Sequence, residues 1–186
     1  MPPLYPLPIP GRVTVGQTGT AALWNSQINP GANFLGNRPY AWLIQNTVQS
    51  IGSGYVPIAF DSGFDNAGAH SATVNNTQYF CQLPGVYHVT GQVGIYPTPS
   101  NPGSYPWAEL SIGTNGSSTG GLIGPVRMYF DTNTTYRSGG IVQISTYLTM
   151  SAGDFIQLFV TSAVAAGLTT GQGYYSSRMY IQWVST

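Results

Sequence analysis

Turn-forming residues interrupt this chain at short, repeated intervals, and that punctuation restricts its fold more than any other feature. The 186 residues include 24 Gly and 14 Pro. From about Tyr40 onward, clusters of Gly, Pro, Asn and Ser separate short runs rich in Val, Ile, Tyr and Thr. The runs alternate. In GVYHVTGQVGIY, Tyr87, Val89, Val93 and Ile95 alternate with His88, Thr90 and Gln92. In IVQISTYLTM, Val142, Ile144, Leu148 and Met150 alternate with Gln143, Ser145 and Tyr147. Ile156, Leu158 and Val160 share one face of DFIQLFVTS, and Met179, Ile181 and Trp183 share one face of SRMYIQWVS. A period of two places one side of each strand in a core and leaves the other in water or at an interface. The pattern predicts strands at 41–50, 56–60, 78–82, 86–95, 107–112, 125–130, 140–149, 154–161 and 177–184. Nine short strands with almost no helix predict an all-β sandwich or barrel. No repeat has a solenoid or propeller period.

The first 39 residues read differently. Residues 1–10 hold five prolines, Pro2, Pro3, Pro6, Pro8 and Pro10, so the segment is stiff, close to polyproline II, and unfit for a sheet interior. It is either a docking arm or a disordered tail. Residues 20–28, TAALWNSQI, predict one short helix capped by Thr20, with Ala21, Trp24 and Ile28 on one face and Pro30-Gly31 as its stop. A helix this short must lean on something, and Trp24 is the expected contact. The expected division is an anchoring arm and helix at 1–39, with Pro6, Pro8, Pro10 and Trp24 as anchors, and a strand-rich domain at 40–186.

Composition narrows the partners. Only 5% of residues are charged, with five Arg, no Lys and a formal net charge of +0. Such a chain cannot neutralise a row of phosphates and gains no pull from an anionic membrane surface. Nucleic-acid binding and membrane insertion are therefore not expected. Hydrophobic residues at 42% argue against disorder. A surface without charge favours association, which suits a protein held in a fixed assembly; a monomer with a polar, uncharged coat is the alternative. MPPLYPLPIP has no basic region and its prolines forbid a helical signal core. The single Cys81 cannot form an intrachain disulfide. Synthesis in a cytoplasm is the expectation, and the triplets at Asn75, Asn115 and Asn133 then read as polar turns rather than glycosylation sites.

The inventory for catalysis is short. Cys81 and His88 lie near each other in sequence, but a lone Cys in an aromatic strand reads as a small buried hydrophobe, and His88 points off the core face. Asp61, Asp65 and Asn66 offer oxygens for Ca²⁺, yet Asp and Asn are also the usual turn formers. The Gly-rich 113–121 segment lacks the Lys of a phosphate loop. Glu109 and Asp131 make no case for a paired-carboxylate hydrolase. No enzyme activity, cofactor or metal is predicted. Loops 97–106, 113–121 and 163–173, with Tyr105 and Asn115, suit adaptable polar contact with sugars, or are only solvated connectors.

Four blocks then follow in a set order. In YVPIAFDSGFDNAGAH a strand ending in Phe leads into an Asn- and Gly-containing turn. In YFCQLPGVYHVTGQV an aromatic strand, a Pro84-Gly85 turn and a strand opening on Val-Tyr succeed one another. SGGIVQISTYLTMSAGDFIQLFV pairs two strands through a turn ending in Gly-Asp, and YYSSRMYIQWV closes the set. Together residues 55–184 resemble the trimeric jelly roll shared by the complement globular-head domain and the tumour necrosis factor superfamily. The opening, with Thr20-Ala21-Ala22-Leu23-Trp24-Asn25, Phe34-Leu35 and Asn37-Arg38-Pro39, is similar to that of tail-associated proteins of phages that infect actinobacteria. In those proteins a similar jelly-roll domain follows. Gly16-Gln17-Thr18-Gly19 stands where they often carry an acidic residue.

These resemblances imply a jelly-roll β-sandwich preceded by an extended arm and one short helix. They also imply a homotrimeric virion protein at the phage tail, tethered to other virion proteins through its arm and touching host-surface glycans. A capsid decoration or head-fibre protein is the alternative. On the family template His88, Gln92, Tyr147 and Tyr180 face the trimer axis.

Overall fold

The computed structural model describes residues 16, 18–97, 107–116, 122–129, 139–163, 168–171 and 173–185. Among them, twelve strands form two antiparallel sheets: β1 Tyr40–Ile44, β2 Ser50–Ile51, β3 Val56–Pro57, β4 Ser62–Asp65, β5 Tyr79–Phe80, β6 Gly85–Pro97, β7 Trp107–Thr114, β8 Ile123–Tyr129, β9 Gly140–Met150, β10 Phe155–Ser162, β11 Leu168–Thr170 and β12 Arg178–Ser185. The first sheet runs β2-β11-β6-β12-β1-β4, with β9 on the opposite edge of β6. The second runs β3-β10-β7-β8, and β5 also pairs with β10.

The alternation places its apolar members between the sheets. Leu43, Val89, Val93, Ile144, Leu148, Met179 and Ile181 face Leu110, Ile112, Ile156, Leu158 and Val160 in one core. Tyr79 and Tyr87 are fully buried and meet edge to face at 6.5 Å. The Tyr87 hydroxyl donates to the Leu83 carbonyl at 2.7 Å and accepts from the Leu83 amide at 3.2 Å, which braces the Pro84-Gly85 turn. Gly85 has φ +138°, and a Cβ there would lie 2.2 Å from the Ser185 carbonyl oxygen, so no other residue fits.

Two strands were not predicted. β4 contains Gly63 and has no apolar alternation; its glycine is needed because a Cβ would sit 2.2 Å from the Trp42 carbonyl oxygen on β1. β11 is only three residues long. The predicted 41–50 strand is split into β1 and β2. Asp61 breaks it by accepting hydrogen bonds from the Asn46 and Thr47 amides at 2.7 and 2.8 Å.

The helix starts as expected, with the Thr20 hydroxyl accepting from the Leu23 amide at 3.2 Å. It does not stop at Pro30-Gly31. Helix α1, Ala21–Leu23, passes through a π-helical segment, Trp24–Ile28, into α2, Asn29–Gly36. Pro30 falls in the first turn of α2, where a missing N–H is tolerated. The contact expected of Trp24 is made by Phe34, buried edge-on against Trp183 with ring centroids 5.3 Å apart. Trp24 remains exposed. The chain then enters the sheet through Pro39, whose carbonyl accepts from the Trp183 amide at 2.9 Å, and Arg38, whose carbonyl accepts from Asn66 Nδ2 at 3.0 Å. Pro6, Pro8 and Pro10 lie outside the described residues.

Candidate functional site

The outer face of the first sheet carries the candidate site. Strand register sets its rows. Phe64, Trp42, Tyr180, Thr90 and Ser145 stand opposite one another across β4, β1, β12, β6 and β9. A second row runs Tyr40, Gln182, His88 and Tyr147, and a third runs Ile44, Arg178, Gln92 and Gln143. Those on β1, β6, β9 and β12 alternate with core residues, and Phe64 on β4 stands directly opposite Trp42, so their side chains share the outward face. The aromatic members are open to solvent: Trp42 is 47%, Phe64 51%, Tyr147 65% and Tyr180 38% exposed.

The four residues assigned to the trimer axis therefore share one surface. The His88 ring stacks on Tyr147 with centroids 4.8 Å apart, and its Nε2 lies 2.9 Å from Ser145 Oγ. Gln92 Nε2 donates to the Ser176 carbonyl at 3.3 Å, and the Tyr180 hydroxyl donates to Gln182 Oε1 at 3.4 Å. Sequence reasoning missed Tyr40, Trp42 and Phe64. The first two were legible in YAWLI, where they alternate with Ala41 and Leu43. Tyr40 and Phe64 pack with centroids 5.4 Å apart, and the Arg178 guanidinium lies 6.0 Å from the Trp42 ring centroid. Arg178 is the one permanently charged side chain in these rows, which contain no carboxylate.

The loop residues separate. Asn115 has φ +53° at the end of β7. Its Nδ2 donates to Asp154 Oδ1 at 3.0 Å and its Oδ1 accepts from the Phe155 amide at 2.9 Å. Its amide group thus ties β7 to the β9–β10 turn, at the end of the sandwich where β6 starts and the helix enters. Tyr105 lies outside the described residues. Its loop leaves from the opposite end, where Pro97 pairs with Leu168 and Ala108 with Ser162. Of 97–106 and 113–121 only the edges are described, and 163–173 is not one loop, because Leu168–Thr170 within it pairs with β6 and β2 as β11.

The remaining reactive groups are held in structural roles. Cys81 is buried, and burial pushes its thiol up to about 12, while His88 stands on the outer sheet face; the two do not form a nucleophile–base pair. His70 lies between two carbonyls, Nδ1 3.0 Å from Gln78 O and Nε2 3.1 Å from Phe60 O. Asp65 accepts from the Ala67, Ala69 and His70 amides, and Asn66 Oδ1 from the Tyr40 amide. Burial alone would raise the Asp61 carboxyl, but hydrogen bonds from Thr47 and Asn46 outweigh it and hold the group below the ordinary carboxylate range. Among the described residues no three His, Cys, Asp or Glu side chains cluster as metal ligands. Glu109 is buried and pairs with Arg127 at 2.7 Å, while Tyr55 donates to its other oxygen at 2.8 Å. Asp131 and Asn133 lie outside the described residues; Asn75 and Asn115 both occupy left-handed turn positions. Among the described residues no helix is long and apolar enough to cross a membrane.

No family model and no curated protein matches the chain. Solved structures do. The globular domain of zebrafish complement 1qA protein matches with a TM-score of 0.52 and 15% identity, over 79% of this chain and 98% of that one. The fold is a jelly-roll sandwich. At this identity the likeness carries the fold alone, and it agrees with the blocks read from residues 55–184.

Proposed function

We propose that this chain is a non-enzymatic virion protein of a phage, tail-associated, that assembles as a homotrimer through the outer face of its first sheet. The observation that carries the reading is that face. Trp42, Phe64, Tyr147 and Tyr180 expose large rings across four strands of one sheet, with no carboxylate among them. Contiguous exposed apolar surface on a small domain marks an interaction site, and a surface with one permanent charge has little charge to desolvate on association. Exposed Trp24, with Pro6, Pro8 and Pro10, anchors the trimer to other virion proteins. Loops at the opposite end, including the one that carries Tyr105, touch host-surface glycans, and three-fold symmetry multiplies weak contacts through avidity.

Sedimentation of the full chain tests the assembly: three times the chain mass is expected, and Tyr180→Arg should give monomers. A wild-type monomer at high concentration, or a variant that stays trimeric, removes the assignment of this face. Gold-labelled antibody on whole particles tests the location. Label on the tail supports the reading, label on the capsid selects the decoration or head-fibre role, and an unlabelled particle overturns the virion assignment.

A further inference from the structure

The second sheet keeps one corner open, and its chemistry differs from that of the first sheet. Trp107 opens β7 and Tyr129 closes β8, directly opposite each other in register, and Glu109 stands opposite Arg127 two residues further in. Ala108 and Leu110 point into the core, so these four side chains share the outward side. Glu109 is buried, whereas Tyr129 is 65% and the Arg127 side chain 42% exposed. Trp107 is partly exposed. The corner is held in shape before any ligand arrives. Arg127 Nε and Nη2 donate to Glu109 Oε2 at 3.1 and 2.7 Å, and Tyr55 donates to Oε1 at 2.8 Å. The guanidinium so fixed lies 3.9 Å from the Trp107 ring centroid and also hydrogen-bonds the Tyr129 side chain. Glu109 and Arg127 are the only charged side chains on β7, β8 and β10, and they cancel. The corner therefore has no net pull on a phosphate or on a charged peptide. It offers ring faces, a phenol and guanidinium N–H donors beyond those that Glu109 takes. An uncharged sugar matches that set: its C–H face covers a ring, its hydroxyls meet the donors, and it brings no charge to desolvate.

We propose that Trp107, Arg127 and Tyr129 form a binding platform for uncharged saccharides. The inference deepens the glycan contact of the reading above and rests on that part of it alone, not on the trimer or the virion. Trp107 directly follows residues 97–106, so the platform borders the loop that carries Tyr105. A peptide strand added to β8 is a poorer fit. That strand ends its sheet, but Pro125 withholds an amide from the ladder such a peptide would need. Because the ion pair fixes Arg127 against Trp107 in advance, little side-chain freedom is lost when a sugar settles on them.

The test is saturation-transfer NMR of the full chain with maltotriose, cellotriose and tri-N-acetylchitotriose as uncharged probes. Trigalacturonate and the peptide MPPLYPLPIP serve as the acidic and proline-rich alternatives. At least one uncharged trisaccharide should bind with a Kd in about the millimolar range. Tyr129→Ser and Arg127→Gln should each weaken it about fivefold or more, while Tyr147→Ser on the first sheet leaves it unchanged. Circular dichroism checks that each variant retains its strands, and two independent variants keep the test alive if one fails to fold. Binding that survives unchanged in a folded Tyr129 or Arg127 variant overturns the platform and leaves the glycan reading standing. Binding of trigalacturonate or the peptide alone overturns the assignment to uncharged saccharides. Binding of no saccharide overturns the platform and the glycan contact together. Sedimentation reports the trimer separately, so none of these results bears on it.

Discussion

The two outer faces of this sandwich are built by the same alternation yet solvated in opposite ways. On the first sheet the outward positions carry Trp42, Phe64, Tyr147 and Tyr180, and all four are exposed. On β7 and β10 of the second sheet the outward positions carry Glu109, Ser111, Gln157, Phe159 and Thr161, and all five are buried, while Arg127 and Tyr129 on the edge strand β8 are exposed. Phe159 and Ser111 stand opposite each other, as do Thr161 and Glu109. Neighbouring segments bond to this second face: Tyr55 donates to Glu109, Gln157 Nε2 donates to Thr77 Oγ1 at 3.1 Å, and the Ser162 amide donates to the Gly52 carbonyl at 3.0 Å. The polar β7–β10 part of the second face is closed within the chain, and the aromatic part of the first face is left open. Hydrophobic residues belong inside more strongly than polar ones do, so the open aromatic surface is the unusual one, and it is there that a partner copy gains most.

Two phenylalanines on opposite faces give the largest test of this contrast. Phe159 is 3% exposed and Phe64 is 51% exposed. Phe159→Ala should cost about 3–5 kcal/mol, the usual range for emptying a buried aromatic site. Phe64→Ala should cost under about 1 kcal/mol, as for a surface position. Both belong in a Tyr180→Arg background, so that urea unfolding reports the fold rather than the assembly. Equal losses at the two positions would mean that Phe64 is already packed within the single chain and that the first face is not open.

The next effect is electrostatic. Glu109 is held by Arg127 at 2.7 Å and by Tyr55 at 2.8 Å, and the Arg127 guanidinium lies 3.9 Å from the Trp107 ring centroid. The hydrogen bond to Glu109, more than burial, holds the Tyr55 phenol above its ordinary range. Glu109→Leu should cost about 1–3 kcal/mol, because Tyr55 loses its acceptor, while half-exposed Arg127 regains water and softens the loss. Gln143→Leu on the open face, where that side chain is exposed, should leave urea unfolding within about 0.5 kcal/mol. A Glu109 variant as stable as wild type would show that the second face is closed by packing and not by its ionic bridge.

The contrast between the faces also marks where sequence stops being informative. Alternation in GVYHVTGQVGIY and IVQISTYLTM located β6 and β9 to within two residues and put His88, Gln92 and Tyr147 outward. The Pro84-Gly85 and Gly153-Asp154 turns were equally legible, because turn chemistry is local. What alternation does not report is whether an outward position meets water. Glu109 and His88 read alike as polar residues on strands, yet one is buried in an ion pair and the other is partly open beside a tyrosine. Those outcomes depend on segments 50 or more residues away, such as Tyr55 for Glu109 and Ser145 for His88. The helix failed for a similar reason. Its stop was read from Pro30-Gly31, while its length is set by Phe34 reaching Trp183 across the fold. Asn115 looked like an adaptable surface amide, but its hydrogen bonds go to Asp154 and Phe155, some 40 residues on.

The smallest effect has the sharpest sign. Ser111 is fully buried on the second face, and its hydroxyl oxygen finds no hydrogen-bond partner among the described residues. A buried hydroxyl without a partner loses its hydration and receives nothing in return. Ser111→Ala removes that oxygen and little volume, so it should leave stability unchanged or raise it by about 0.5–1 kcal/mol in urea unfolding. Ser145→Ala on the first face removes a hydroxyl that is exposed and bonded to His88 and Thr90, and it should lower stability by no more than about 0.5 kcal/mol. The two serines thus differ in the direction of the change, set by solvation and not by residue type. A clear loss of stability in Ser111→Ala would place a water or an unrecognised partner at its oxygen, and the second face would then be less completely closed than its burial implies.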